Sequence, residues 1–91
     1  MNKNRITQME KRLSESLHPI SLHIRDDSYL HISHVGAKDG RGHFHITIIS
    51  ERFEKQNQIA RHRLIYQALG TLMQTDIHAL QIDAKSPSEV E

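Results

Sequence analysis

Eight histidines and no cysteine are the residues of this 91-residue sequence through which chemistry would run. Imidazole titrates closest to neutral pH and, when neutral, ligates zinc, copper, iron and nickel. Without a thiol there is no disulfide staple, no Cys-ligated zinc finger, no thiol nucleophile and no iron–sulfur cluster held by this chain alone. Four histidines have structural readings. His18 ends a helix, where it favours the macrodipole; His23 and His45 fall on polar strand faces; His62 lies within Arg61-His62-Arg63 on a long helix. His31, His34, His43 and His78 differ, because the expected topology gathers them at one end of a sheet. Three or four imidazoles with a carboxylate would close an autonomous zinc site. A site shared with a partner's thiolates also accommodates the missing cysteine, since one iron of a Rieske cluster takes two histidines.

Other chemistry has little support. Ser28, Ser33 and Ser50 lack a nucleophile-elbow context, and Asp26-Asp27 reads as turn chemistry. Gly36, Gly40 and Gly42 precede a strand rather than a helix, which excludes a P-loop or dinucleotide fingerprint. The expectation is therefore not an enzyme, and no small-molecule substrate. Nucleic acid is the second class, with Lys55, Arg61 and Arg63 as its first candidates beside Arg52. Against it stand a net charge of +1, from 12 Lys and Arg and 11 Asp and Glu, and the neighbouring Glu51 and Glu54. No run approaches the roughly 18 apolar residues of a membrane span. The charged N-terminus lacks the apolar block of a signal peptide, so a cytoplasmic protein with no membrane partner is expected.

The elements that must position these residues follow from periodicity. Ile6, Met9, Leu13 and Leu17 step by three and four, predicting a helix over residues 2–17 with Asn2 or Asn4 as its cap. His18-Pro19 ends it, because the residue before proline is pushed out of the helical region. Ile20, Leu22 and Ile24 then alternate with polar residues as a strand, which residues 29–32 would extend after a turn at Asp26-Asp27-Ser28. Residues 33–42 form a glycine-rich polar loop. Phe44, Ile46 and Ile48 make a second strand, antiparallel to the first, and Ser50 caps a short helical turn anchored by Phe53. A longer helix runs from Asn57 or Gln58 to about Thr75, with Ala60, Leu64, Ala68 and Leu72 at steps of four beside Ile65, Leu69 and Met73. Ile77, Leu80, Ile82 and Ala84 mark a third strand, and residues 86–91 a polar tail. The order is αββααβ in a single domain over residues 1–91.

That order makes a geometric prediction. A strand–helix–strand crossover within one sheet joins parallel strands, so the second and third strands begin at the same sheet end. His78 then lies near His43 and the loop carrying His31 and His34. An antiparallel third strand would put it roughly 25 Å away, at about 3.3 Å per residue.

Gly42-His43-Phe44, Ile48-Ile49-Ser50-Glu51-Arg52-Phe53, Arg61-His62-Arg63-Leu64-Ile65-Tyr66-Gln67-Ala68-Leu69 and Ile77-His78-Ala79-Leu80 resemble the BolA family in order and spacing, as does the ending Ser86-Pro87-Ser88-Glu89. The resemblance spans nearly the whole chain. It implies an α+β, class II KH-like αββααβ domain: a three-stranded mixed sheet with helices packed on one face. It also implies a non-enzymatic partner of monothiol, CGFS-type glutaredoxins, with a [2Fe-2S] cluster shared between the two proteins and glutathione and none expected in the isolated chain. Cluster assembly, trafficking or iron sensing is the implied role. By motif, His78 in Ile-His-Ala-Leu is the first ligand, and His31 in Ser-Tyr-Leu-His the loop ligand, with His34 as its alternative. Two departures bear on the second class. The junction at residues 53–58 lacks the Gly-x-x-Gly loop with which KH domains grip nucleic acid, and Lys55 stands where many relatives have glycine. The alternative function implied by the family is a DNA-binding regulator of morphology and stress response, using Lys55, Arg61 and Arg63.

Overall fold

The computed structural model describes residues 2–28 and 41–90. Helix α1 (Asn2–Leu17) lays Met9, Leu13 and Leu17, spaced by four, into the core, with Ile6 packed beside them. Full burial of each such side chain stabilises by about 1.5–3 kcal/mol. The helix already includes Asn2 and Asn4, so neither asparagine is its cap. Its other end is more informative. His18 adopts φ 44°, in the left-handed region, and its N–H donates to Ser14 O at 3.1 Å. A residue at this position usually is glycine; here Pro19 enforces the stop and histidine tolerates the conformation.

Strands β1 (Ser21–Asp26), β2 (Gly42–Ile49) and β3 (Ile77–Lys85) form one sheet in the order β1-β2-β3. β2 pairs antiparallel with β1 and parallel with β3, as the crossover argument requires. Phe44, Ile46 and Ile48 of central β2 are buried, together with Ile24 of β1 and Ala84 of β3, under Met9, Leu13, Leu17, Ile65, Leu69 and Leu72 from the helices. Helices thus cover one face of the sheet. Ile20 departs from the expected buried alternation. Its N–H bonds to Ile49 O, but its side chain is 64% exposed at the start of an edge strand.

Ser50 ties α1 to the segment after β2. Its hydroxyl donates to Leu17 O at 2.6 Å and accepts from Arg52 N, capping a 3-10 turn (Glu51–Phe53) that buries Phe53. Lys55 comes next at φ 62°, the conformation for which glycine is the usual residue. Asn57 then caps α2 (Gln58–Leu69) through its Oδ1, which accepts from Ala60 N.

The long helix is broken, not continuous to Thr75. Gly70 turns the chain at φ 56°, and a short α3 (Leu72–Thr75) completes the crossover. A Cβ at Gly70 would lie 3.1 Å from Nη1 of Arg12, which donates to the carbonyl of Leu69 at the end of α2. The expected polar tail is also docked structure. Pro87–Glu89 forms a 3-10 turn with a reciprocal capping box between Ser86 and Glu89. Among the described residues, no helix is long and apolar enough to cross a membrane.

Candidate metal-ligating site

β2 and β3 start at the same sheet end, and their register is irregular there. Gly42 pairs with Ile77 and His43 with Ala79, leaving His78 as the extra residue of a bulge. A bulge breaks the two-residue period, so residues three apart can share a face. Ile77 is accordingly buried and Leu80 packs on the same core, while His78 and Ala79 are exposed. The step of three between Ile77 and Leu80, before the steps of two to Ile82 and Ala84, is the signal of that bulge in the sequence.

The His78 ring lies 5.2 Å from the ring of His43, tilted by 52°. His43 is only 7% exposed. It borders a cavity of about 90 Å³ with Asp27, Phe44, Ala79 and Gln81. Its backbone is held from the residues just after β1: His43 N donates to Ser28 Oγ at 3.0 Å, and His43 O accepts from Asp27 N at 2.8 Å. The turn expected at Asp26-Asp27-Ser28 supplies these partners, closed by Ser28 N on Asp26 Oδ1. Asp27 is buried and receives both Nε and Nη2 of Arg25, at 2.7 and 3.1 Å. Gly42 admits the strand to this corner, because a Cβ there would meet the buried Phe44 ring at 2.6 Å.

Two histidines of this region face arginines. Arg25 Nη2 lies 3.2 Å from His45 Nδ1, and Arg41 Nη2 lies 3.1 Å from His78 Nδ1. Sequence reasoning treated Arg41 as a loop residue and missed this contact. His31 and His34 fall outside the described residues, so the predicted gathering is established for His43 and His78. As a test of fit to a metal or cluster, His78 offers one exposed imidazole. Among the described residues, no group of three or more His, Asp or Glu side chains could hold a metal ion. Among the described residues, His78 is thus a single exposed donor beside the buried His43.

The candidate basic face is smaller than expected. Lys55 and Arg63 are exposed, but Arg61 is buried at 5% exposure. Its Nε donates to Gln56 O at 2.8 Å, and its Nη1 to Ala84 O at 3.0 Å and Glu89 Oε1 at 2.6 Å, over the Phe53 ring. Arg61 holds α2, β3 and the C-terminal turn together, so it cannot present charge to DNA. The Ser86 backbone N–H, then Arg61 and the Ser86 hydroxyl, lower the pKa of Glu89 to about 2. Hydrogen bonds from Ser88, side chain first, lower that of Glu54.

Comparison with known proteins finds similar chains and a similar fold. The chain is 43% identical over 89 residues to the chloroplastic protein BOLA1 of Arabidopsis thaliana, covering 94% of this chain and 56% of that protein. It is 36% identical over 88 residues to SufE-like protein 1 of the same plant, covering 91% of this chain and 24% of that protein. The solved BolA domain of SufE1 from Arabidopsis thaliana matches with a TM-score of 0.82 at 36% identity, over 93% of this chain and 94% of that one. The DNA-binding transcriptional regulator BolA of Escherichia coli is 31% identical over 92% of this chain and 77% of its own length. The chain therefore spans about half, or a quarter, of the two plant proteins. Residues 13–89 match the family model of BolA-like proteins, and with the shared αββααβ order and mixed sheet they place this chain in the BolA-like family.

Proposed function

We propose that the chain is a non-enzymatic adaptor that shares a [2Fe-2S] cluster with a monothiol CGFS glutaredoxin and glutathione, in iron–sulfur assembly, trafficking or iron sensing. One observation carries the reading: His78 stands exposed on a bulge at the end of the sheet where β2 and β3 begin, its ring 5.2 Å from that of His43. Family membership supports it. His78 is the assigned ligand, and the loop supplies the second, His31 by motif or His34 beside it. The bound cluster brings an iron whose imidazole ligation is weaker and more proton-sensitive than thiolate ligation, which suits transfer or sensing. The test mixes the protein with a CGFS glutaredoxin, glutathione, iron and sulfide. His78→Ala is expected to alter the visible spectrum of the heterodimer, and an unchanged spectrum sinks the assignment. His31→Ala and His34→Ala, compared in the same assay, decide the loop ligand.

A second reading, regulation through DNA, draws on the likeness to the Escherichia coli regulator and on the exposed Lys55 and Arg63. With Arg61 buried, it rests on those two residues and their neighbour Arg52. Duplex affinity should then fall steeply with salt, and replacing Lys55 and Arg63 should reduce the salt slope by about 1 each. No measurable duplex binding at low salt removes this reading.

A further inference from the structure

Arg41, immediately before β2, directs Nη2 at Nδ1 of His78 from 3.1 Å. A guanidinium has five N–H donors, no acceptor, and stays protonated. The hydrogen bond therefore has one direction: Arg41 donates and Nδ1 accepts. A neutral imidazole whose Nδ1 accepts carries its proton on Nε2. Both nitrogens are then closed to a metal, Nδ1 by the guanidinium and Nε2 by its own hydrogen.

We propose that Arg41 masks the ligating nitrogen of His78, so that the guanidinium must leave Nδ1 before this ring can bind iron. The functional part rests on the assignment of His78 as a cluster ligand. Release is simple in its proton balance: when Arg41 departs, Nδ1 regains an available lone pair, Nε2 keeps its hydrogen, and no proton is exchanged with solvent. The contact lies at the surface, where water can replace either partner. The mask would make ligation by His78 wait for a partner that repositions Arg41. His45 provides an internal comparison. Its Nδ1 faces Arg25 at 3.2 Å, and Arg25 is held in place by the buried Asp27 carboxylate.

A neutral electrophile tests the mask in the free protein, without metal or partner. Diethyl pyrocarbonate acylates the imidazole lone pair: a ring nitrogen bonds the carbonyl carbon, ethyl carbonate leaves, and the other ring nitrogen gives up its proton. At about pH 8.5 the ring of an ordinary histidine is neutral, so rates report access to the lone pair rather than protonation. Peptide mass spectrometry of the full chain should show His78 reacting more slowly than exposed His23. In Arg41→Ala and in Arg41→Met, which keeps the length of the side chain, the His78 rate should rise about 3- to 10-fold, the range implied by one hydrogen bond. His23 and His45 should keep their rates in both variants, which also reports that the fold is intact. An unchanged His78 rate in both variants overturns the proposal, as does an equal rise at His23 and His45. The cluster reading fails separately. A His78 rate that rises in these variants, alongside a heterodimer spectrum unaffected by His78→Ala, supports the mask and removes its role in cluster binding.

Discussion

Arg61 and Arg41 sit at opposite ends of β3, and the same side chain does opposite work there. Arg61 is buried, bonded to two backbone carbonyls and a carboxylate, and stacked over Phe53. Removing it would strand the buried carbonyl of Ala84 and leave Glu89 without its counter-charge. Arg41 lies at the surface and donates to a ring nitrogen that water or a metal can take instead. Burial and partner chemistry, not residue type, decide which arginine belongs to the fold and which to the site. A buried network stabilises; a contact at the surface can be exchanged for water.

The largest break in that comparison comes from Arg61→Ala, expected to cost about 2–4 kcal/mol. That is below the full cost of breaking a sealed ion pair, because the Glu89 side chain is 43% exposed. Urea unfolding measures it. Arg61→Lys should recover only part, since one ammonium cannot reproduce the guanidinium's fork of donors. Neither variant should change the diethyl pyrocarbonate reactivity of His78; a change would show that the two ends of β3 are coupled.

The same end of the molecule has a pH signature. The pKa of Glu89 is about 2 in the folded protein against 4.5 for the ordinary group. A carboxyl with a depressed folded pKa binds its proton more readily when unfolded. Its contribution is therefore fully present above about pH 4.5 and disappears as the pH falls toward 2. Glu89→Gln should flatten stability over that window relative to wild type, as thermal melts from about pH 5 to about pH 2.5 would show. An identical slope in the variant would mean that the Glu89 contact does not form in solution.

Much of this was legible in the sequence, and the exceptions have physical causes. The periods of two and four located the strands and the core stripes, and the crossover rule alone brought His78 to His43. Gly70 was a readable stop, because glycine just past a helical stripe commonly ends it; the apolar steps from Leu69 to Leu72 and Met73 concealed it. Arg61 was misread as surface, although it lies four residues before Ile65 and eight before Leu69 on the stripe that α2 buries. What makes that burial tolerable is a carboxylate 28 residues away. No local pattern reports such a partner. For the same reason the run Ser86-Pro87-Ser88-Glu89 looked like a solvated tail. The contact between Arg41 and His78 was equally hidden, since it depends on a bulge that a three-residue step only hints at.

Lys55→Gly sharpens the contrast at smaller scale. Lysine at φ 62° carries a steric penalty that glycine does not. Part of the gain is lost to the greater freedom of glycine in the unfolded chain. A net stabilisation of about 0.5–1 kcal/mol is expected, read from the urea midpoint. If the DNA reading holds, the same variant also weakens duplex binding, so a protein that is more stable yet binds less would separate the two roles of this position.

The smallest effect on the fold should come from the residue given the largest role. His78 is exposed, occupies the extra position of a bulge, and has its Nδ1 bonded to a surface arginine side chain that water can serve equally well. His78→Ala should therefore leave stability within about 0.5 kcal/mol of wild type, as for surface substitutions without a structural role. A loss comparable to that of Arg61→Ala would mean that His78 braces the bulge and the His43 pocket beneath it, and the case for it as a ligand would weaken accordingly. A stable variant that forms an altered cluster spectrum with the glutaredoxin would fit a side chain held by the fold but used by the partner. That outcome would complete the contrast with Arg61, whose loss is felt by the fold itself.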